Sequence, residues 1–188
     1  ADGEVGSDVD GSEFGFALAW ADVNDDGNDD ALVGAPEDDT AGAAAGAVYI
    51  FFGPVSGALT TASADVTLTG VAAGDRAGIE LDYAGDVNGD GSDDVIIGAY
   101  NESTNGANAG AAYLMLGPIV ADASLSTAEA ILYGEAADDR AGLAVSGAGD
   151  VDNDGFDDIL VGAERNDEGG GEAGAVYLLY GPVSGAFG

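Results

Sequence analysis

Asp22-Val23-Asn24-Asp25-Asp26-Gly27-Asn28-Asp29-Asp30 is the stretch that decides the fold, because it returns twice. It comes back as Asp86-Val87-Asn88-Gly89-Asp90-Gly91-Ser92-Asp93-Asp94 and again as Asp150-Val151-Asp152-Asn153-Asp154-Gly155-Phe156-Asp157-Asp158. From residue 22 to 86 and from 86 to 150 the step is 64 residues. Gly53-Pro54, Gly117-Pro118 and Gly181-Pro182 keep that step, as do Gly34-Ala35, Gly98-Ala99 and Gly162-Ala163. Shared composition does not hold several registers over two steps. The chain is three copies of one unit, at about 14–76, 77–140 and 141–188, forming a single segment over 1–188.

Working outward from the loop, each unit reads as four short strands. The first precedes the Asp-rich loop (15–21, 78–83, 142–148), and the second follows it as an apolar run (31–35, 95–99, 159–163). The third is aromatic and aliphatic (47–52, 111–116, 175–180). A fourth falls at 66–69 and 130–133, and the last unit has no fourth strand. These runs are rich in Val, Ile, Leu and Tyr and bounded by Gly, Pro, Asn and Asp, while no segment carries a sustained helical period. Small residues crowd the first strand, as they must where several strands converge. The pattern predicts an all-β fold of propeller blades, each of four antiparallel strands. A β-solenoid is the alternative, but its coils are usually much shorter than this repeat.

Composition removes whole classes of function. Among 188 residues there are 36 Asp and Glu against three Arg and no Lys, a formal net charge of −33. Nucleic-acid binding needs basic groups to displace counterions from phosphates, so it is excluded, and anionic membrane surfaces are disfavoured. No apolar run approaches the roughly 18–20 residues of a membrane span, so no insertion is expected. With no Cys and no His there is no thiolate nucleophile, no zinc-thiolate site and no imidazole base. What remains in quantity is hard oxygen donors, which suit Ca²⁺ or Mg²⁺.

Each loop reads D-x-[DN]-x-D-G-x-x-D. As in an EF-hand loop, side chains at positions 1, 3 and 5 converge on one centre, the carbonyl at 7 adds an oxygen, and Gly at 6 permits the turn. Here a carboxylate at position 9 closes the shell. The first set is Asp22, Asn24, Asp26, Asp30 and the Asn28 carbonyl. The second is Asp86, Asn88, Asp90, Asp94 and the Ser92 carbonyl, and the third is Asp150, Asp152, Asp154, Asp158 and the Phe156 carbonyl. Three Ca²⁺ are expected. The plain alternative is that Asp, Asn and Gly make turns through Asx hydrogen bonds. Against it stand three matches at every ligand position, and the mutual repulsion of carboxylates crowded into nine residues. Flanking strands and the long spacing speak against EF-hand, dockerin and thrombospondin-type loops, which share the D-x-D-x-D-G core.

These units resemble FG-GAP repeats, the blades of the integrin α-subunit β-propeller and of related bacterial extracellular proteins. Phe14-Gly15 followed by Gly34-Ala35-Pro36 matches the name motif, with the loop between. The later copies depart from it, with Ala77-Gly78 and Gly98-Ala99-Tyr100, then Ala141-Gly142 and Gly162-Ala163-Glu164. The resemblance covers essentially 14–188. It implies one calcium per loop, between the first and second strands of each blade. It also implies that a protein or polysaccharide partner docks on the opposite face. The function implied is a non-catalytic, calcium-binding module for extracellular or cell-surface adhesion or protein interaction. The alternative is a structural appendage of a larger secreted enzyme.

No signal peptide is expected in this segment, since Ala1-Asp2-Gly3-Glu4 has neither a basic nor an apolar region. Carboxylate pairs can run glycoside hydrolysis, but here the clustered acids are assigned to cations. Arg76 and Arg140 share a register and are expected to pair with local carboxylates and carbonyls; Arg165 is expected to be a solvated loop residue. Segments 36–46, 100–110 and 164–174 differ most between copies and are candidates for partner binding. Trp20 and Tyr83 read as core residues. The first 13 residues hold no convincing fourth strand for the last blade. Self-association or further repeats are therefore expected to close a ring of four to eight blades.

Overall fold

The computed structural model describes Val5, Gly6 and residues 11–188. Its regular elements are almost all strands: β1 (Val5–Gly6), β2 (Leu18–Ala21), β3 (Asp30–Ala35), β4 (Ala47–Phe51), β5 (Leu59–Thr60), β6 (Val66–Thr69), β7 (Glu80–Gly85), β8 (Asp94–Ala99), β9 (Ala111–Met115), β10 (Ala123–Ser124), β11 (Ala130–Tyr133), β12 (Ala141–Gly149), β13 (Asp158–Ala163), β14 (Ala175–Leu179) and β15 (Gly185–Phe187). Single 3₁₀ turns at Thr61–Ser63 and Leu125–Thr127 follow β5 and β10.

The first blade is the antiparallel run β2-β3-β4-β6, and the second is β7-β8-β9-β11. The third sheet is β12-β13-β14. Each of the eleven expected strands meets an observed one, and the match follows from the physics used to read them: apolar runs flanked by turn formers, with every residue of β3, β4, β8 and β9 buried. The short strands β5, β10 and β15 were not legible. Each gains its place by parallel pairing with an outer strand: β10 on β6, β15 on β11 and β5 on β1. Two or three residues carry no alternation from which to read a strand. Val5–Gly6 is likewise a strand within a stretch where none was expected; the other residues before Gly11 lie outside the described ones.

Blades stack through backbone as much as through side chains. Leu32, Val48, Ile50 and Leu68 of the first blade share one buried cluster with Leu81, Ile97 and Tyr113 of the second. A second cluster joins Ile96, Leu114 and Leu132 to Val145, Ile159 and Val161. Between them, Gly34 and Gly98 admit a main-chain carbonyl from the following repeat. A Cβ on Gly34 would stand 2.1 Å from the Gly78 oxygen, and one on Gly98 would stand 1.9 Å from the Gly142 oxygen. No real Cβ tolerates that, so glycine there is a packing requirement.

Two aromatic expectations are corrected. Trp20 is 60% exposed and Tyr83 is 42% exposed, so neither is a core residue. Both sit at the loop end of a first strand, Trp20 opposite Ala31 and Tyr83 opposite Val95. Among the described residues no helix is long and apolar enough to cross a membrane.

The glycine contacts make a direct prediction. Gly98→Val should destabilise the fold by about 1–3 kcal/mol or more, the usual range for overpacking. Gly162→Val should cost far less, because a Cβ there meets only Ala144, at 3.4 Å. Urea unfolding of the two variants measures the difference.

Candidate metal centres

All three Asp-rich loops connect a first strand to a second, and the ninth residue of each anchors it. Asp30, Asp94 and Asp158 have no exposure to water. Asp30 accepts the Val23 amide at 3.1 Å and the Gly53 amide at 2.7 Å. Asp94 accepts Val87 and Gly117, both at 2.9 Å, and Asp158 accepts Val151 and Gly181 at the same distance. Each carboxylate thus ties its own loop to the end of the third strand. Burial pushes Asp30 above the usual carboxylate range and Asp94 up to about 6, although the amide bonds oppose the shift.

The first residue of each loop accepts amides across the turn. Asp22 takes Asp26 and Gly27, Asp86 takes Gly89, Asp90 and Gly91, and Asp150 takes Asp154 and Gly155, at 2.7–3.0 Å. The third residue, Asn24, Asn88 or Asp152, also accepts the amide of the fifth. The fifth residues, Asp26, Asp90 and Asp154, turn an oxygen to the amides of Asn28, Ser92 and Phe156. The turn-forming bonds weighed as the plain alternative are therefore present. They leave each carboxylate with further lone pairs.

In the third loop the acidic side chains converge. Asp150, Asp152 and Asp158 each bring one oxygen within 4.8 Å of the others. Ca²⁺–O bonds of 2.3–2.6 Å put opposite ligands roughly 5 Å apart, so this group has the right span for one ion. Asp154 is outside the group. Loss of hydration and the neighbouring Asp154 charge raise Asp152 above its ordinary pKa. The first two loops carry a neutral Asn at position 3, and its amide nitrogen points at the fifth residue: Asn24 to Asp26 at 3.2 Å, Asn88 to Asp90 at 2.8 Å. Hydrogen bonds hold both aspartates low, chiefly from the Asn28 side chain for Asp26 and from Asn88 for Asp90.

Adjacent loops are stitched together. Asp93 accepts the Asp22 amide and Asp157 the Asp86 amide, each at 2.9 Å. Ser92 Oγ donates to Asp25 at 3.0 Å, and the Phe156 ring lies against Gly89.

The FG-GAP repeat model matches residues 14–51, 83–115 and 141–179, more than half of the chain. The chain belongs to the FG-GAP repeat family. Integrin alpha-PS2 of Drosophila melanogaster is 33% identical over 169 residues, covering 84% of this chain and 12% of that protein. Integrin alpha pat-2 of Caenorhabditis briggsae is 33% identical over 188 residues, covering 92% and 14%. Integrin alpha-IIb of Mus musculus is 33% identical over 166 residues, covering 81% and 15%. The FG-GAP chain thus spans only 12–15% of the length of these relatives.

On the other side of the FG-GAP blades, the loops after the second strands differ in sequence yet share a frame. Gly46, Gly110 and Gly174 donate their amides to the carbonyls of Asp38, Glu102 and Asn166, at 2.9–3.0 Å. Those three side chains are buried and lie 64 residues apart. Asp38 accepts Tyr49 Oη at 2.7 Å, and Asn166 donates to Tyr177 Oη at 3.2 Å. Burial and the Asp38 carboxylate push the Tyr49 phenol up to about 12. The sequence reading missed this set, although a polar residue followed by Tyr after 11 positions was there to be seen.

Arg76 pairs with Glu37 at 2.5 Å and donates to Tyr100 Oη at 2.6 Å. Arg140 stacks on the same ring, 5.7 Å from its centroid, and meets Glu164 at 3.3 Å. Arg165 is half-exposed, 3.7 Å from Glu164.

Asp94 makes stability depend on pH. Its folded-state pKa lies above the unfolded value, so the folded chain binds the extra proton between about pH 4 and 6. Stability in chelator should therefore rise as pH falls from 7 to 5. Thermal melts of the chain and of Asp94→Asn check this; the variant should show a smaller difference between the two pH values.

Proposed function

We propose that this chain is a calcium-binding, non-catalytic β-propeller module for extracellular or cell-surface adhesion or protein interaction. The observation that carries it is the convergence of Asp150, Asp152 and Asp158 within 4.8 Å, in a loop whose pattern occurs three times. The donors are all hard oxygens, which fits Ca²⁺ better than a softer metal. Asp22, Asn24, Asp26, Asp30 and the Asn28 carbonyl would hold one ion. Asp86, Asn88, Asp90, Asp94 and the Ser92 carbonyl would hold a second. Asp150, Asp152, Asp154, Asp158 and the Phe156 carbonyl would hold a third. In this reading the position 5 side chains turn from capping the following amide to meet the ion. Bound calcium supplies positive charge where carboxylates crowd, and favours the folded state by mass action.

A protein or polysaccharide partner would dock on the face opposite the loops, at 36–46, 100–110 and 164–174. Their shared backbone frame with different side chains is how a scaffold varies recognition. The relatives' names support adhesion: they are integrin α subunits.

Elemental analysis after dialysis in calcium should give about three Ca²⁺ per chain, and the melting temperature should drop sharply in chelator. Asp90→Ala should remove one ion and spare two. An unchanged melt in chelator together with no bound metal would overturn the reading. Exchanging segment 100–110 for 36–46 should change partner binding while leaving the calcium titration nearly unchanged.

A further inference from the structure

The buried polar set in the loops after the second strands occurs three times, but among the described residues its hydrogen bonds close in only two copies. In the first repeat Asp38 accepts the Tyr49 hydroxyl at 2.7 Å and the Thr40 amide at 2.8 Å. In the third, the Asn166 side-chain nitrogen donates twice: to Tyr177 Oη at 3.2 Å and to the Asp139 carboxylate at 3.3 Å. Asp139 belongs to the connection from β11 to β12. Acid, amide and phenol thus form one hydrogen-bonded chain across the junction of the second and third blades.

The second repeat places an acid where that amide stands. Asp75 shares the register of Asp139, Glu102 that of Asn166 and Tyr113 that of Tyr177, each 64 residues earlier. Asp75 is 5% exposed and accepts the Ala72 amide at 2.8 Å, the same bond that Ala136 gives Asp139. It has no counterpart of the Asn166 bond. Glu102 is 8% exposed; its two oxygens accept the Thr104 amide at 3.0 and 2.9 Å, and one also accepts the Thr104 hydroxyl. Tyr113 is 2% exposed, and its hydroxyl makes no hydrogen bond among the described residues. The phenol is aimed at the two acids. Burial first, then the Glu102 and Asp75 charges, push it far above its ordinary range, with Tyr133 beside them. Burial, and the Glu102 charge with it, also raise Asp75 above the usual carboxylate range, against the pull of the Ala72 amide.

Two buried carboxylates and an unpaired hydroxyl therefore meet where the next junction has a side chain that donates two N–H bonds. No arginine of this face supplies the missing charge: Arg76 is held by Glu37 and Tyr100, and Arg140 by Glu164. Buried acids are costly unless a counter-charge stands with them. Their existing hydrogen bonds leave lone pairs free on both carboxylates. Two negative charges are balanced by one divalent ion, and every donor is a hard oxygen. An irregular set that mixes carboxylates with a phenol suits the flexible shell of Ca²⁺ better than the near-ideal octahedron of Mg²⁺.

We propose that Asp75, Glu102 and the Tyr113 hydroxyl form a further divalent-cation site, between the first two blades and on the face opposite the Asp-rich loops. Its ion comes on top of the three assigned to those loops and shares no residue with them. The ion takes the place that the Asn166 side chain holds at the next junction, drawing the acid of the preceding connection and the phenol of the third strand onto one centre. Glu102 lies in segment 100–110, so the ion fixes that segment to the connection carrying Asp75. Cation concentration is thereby linked to the shape of a loop assigned to partner binding.

Glu102→Asn tests this, because it copies into the first junction the side chain that closes the second, at a register where the fold already accepts it. Elemental analysis after dialysis in about 1 mM calcium should find about one ion per chain fewer in Glu102→Asn than in the parent, and the same deficit in Asp75→Asn. Glu102→Gln keeps the side-chain length and serves for the same count if the shorter side chain perturbs the loop. In chelator the parent keeps two buried acids together and Glu102→Asn does not, so the variant should melt higher there, and the gap should narrow as calcium is added. Acids with a merely structural role would change the melts without changing the count. Equal ion counts in the parent and the variants overturn the proposal and leave the two carboxyls to share a proton. The counts also separate this site from the loops. About four ions on the parent and about three on the variants support both, and about three on every chain overturns this site alone. About one on the parent and none on the variants would leave this site standing without the loops.

Discussion

A carboxylate shut off from water must find hydrogen bonds or give up its charge, and Asp30, Asp94 and Asp158 each meet this demand with two main-chain amides. One amide lies in the Asp-rich loop and the other at the end of the third strand. The same atom pair therefore closes the loop, sets where the second strand begins and holds the third strand's exit beside it. In each repeat that exit is a Gly-Pro pair with a cis peptide bond. Because the anchor repeats at 64 residues, so does everything hung from it.

Contacts between repeats are of a different kind. They depend on glycines that let one backbone touch the next, on a half-buried aspartate that accepts an amide one repeat back, and on apolar residues that alternate toward the neighbour. None of these is complete within a single unit. Stacking is thus a property of neighbouring pairs, as in other repeat arrays, and each unit borrows part of its core from the next. Leu18 of the first repeat and Val176 of the third are exposed, whereas Leu81 and Ala112, which occupy the same registers between repeats, are buried.

The charge distribution follows the same division of labour. Acids that bond to amides, such as Asp30 and Asp94, are buried and reluctant to ionise. Acids at the loop tips stay in water, and the cations gather on the other side, with Arg76 and Arg140 both facing Tyr100. Tyr100 stands where the first repeat has Pro36, so departure from the motif created a ring on which two guanidinium groups rest.

Much of this was legible in order. Asp22, Asp86 and Asp150 disclosed the repeat, the flanking Val, Ile and Leu runs disclosed the strands, and Asp-x-Asn-x-Asp-Gly disclosed the loop chemistry. The direction of a side chain was not: Asp154 has the ligand spacing, yet it caps the Phe156 amide instead of joining Asp150, Asp152 and Asp158. Nor was the exposure of Trp20, or the existence of β5, β10 and β15, because each depends on what a neighbouring blade covers or pairs with. By itself the sequence determined the unit, its strands and its oxygen-rich loops, since these arise from local alternation and fixed spacing. Only the tertiary structure decided which carboxylates meet, which glycines are filled by a neighbour's carbonyl and which are left open, because those are distances between residues far apart in the chain.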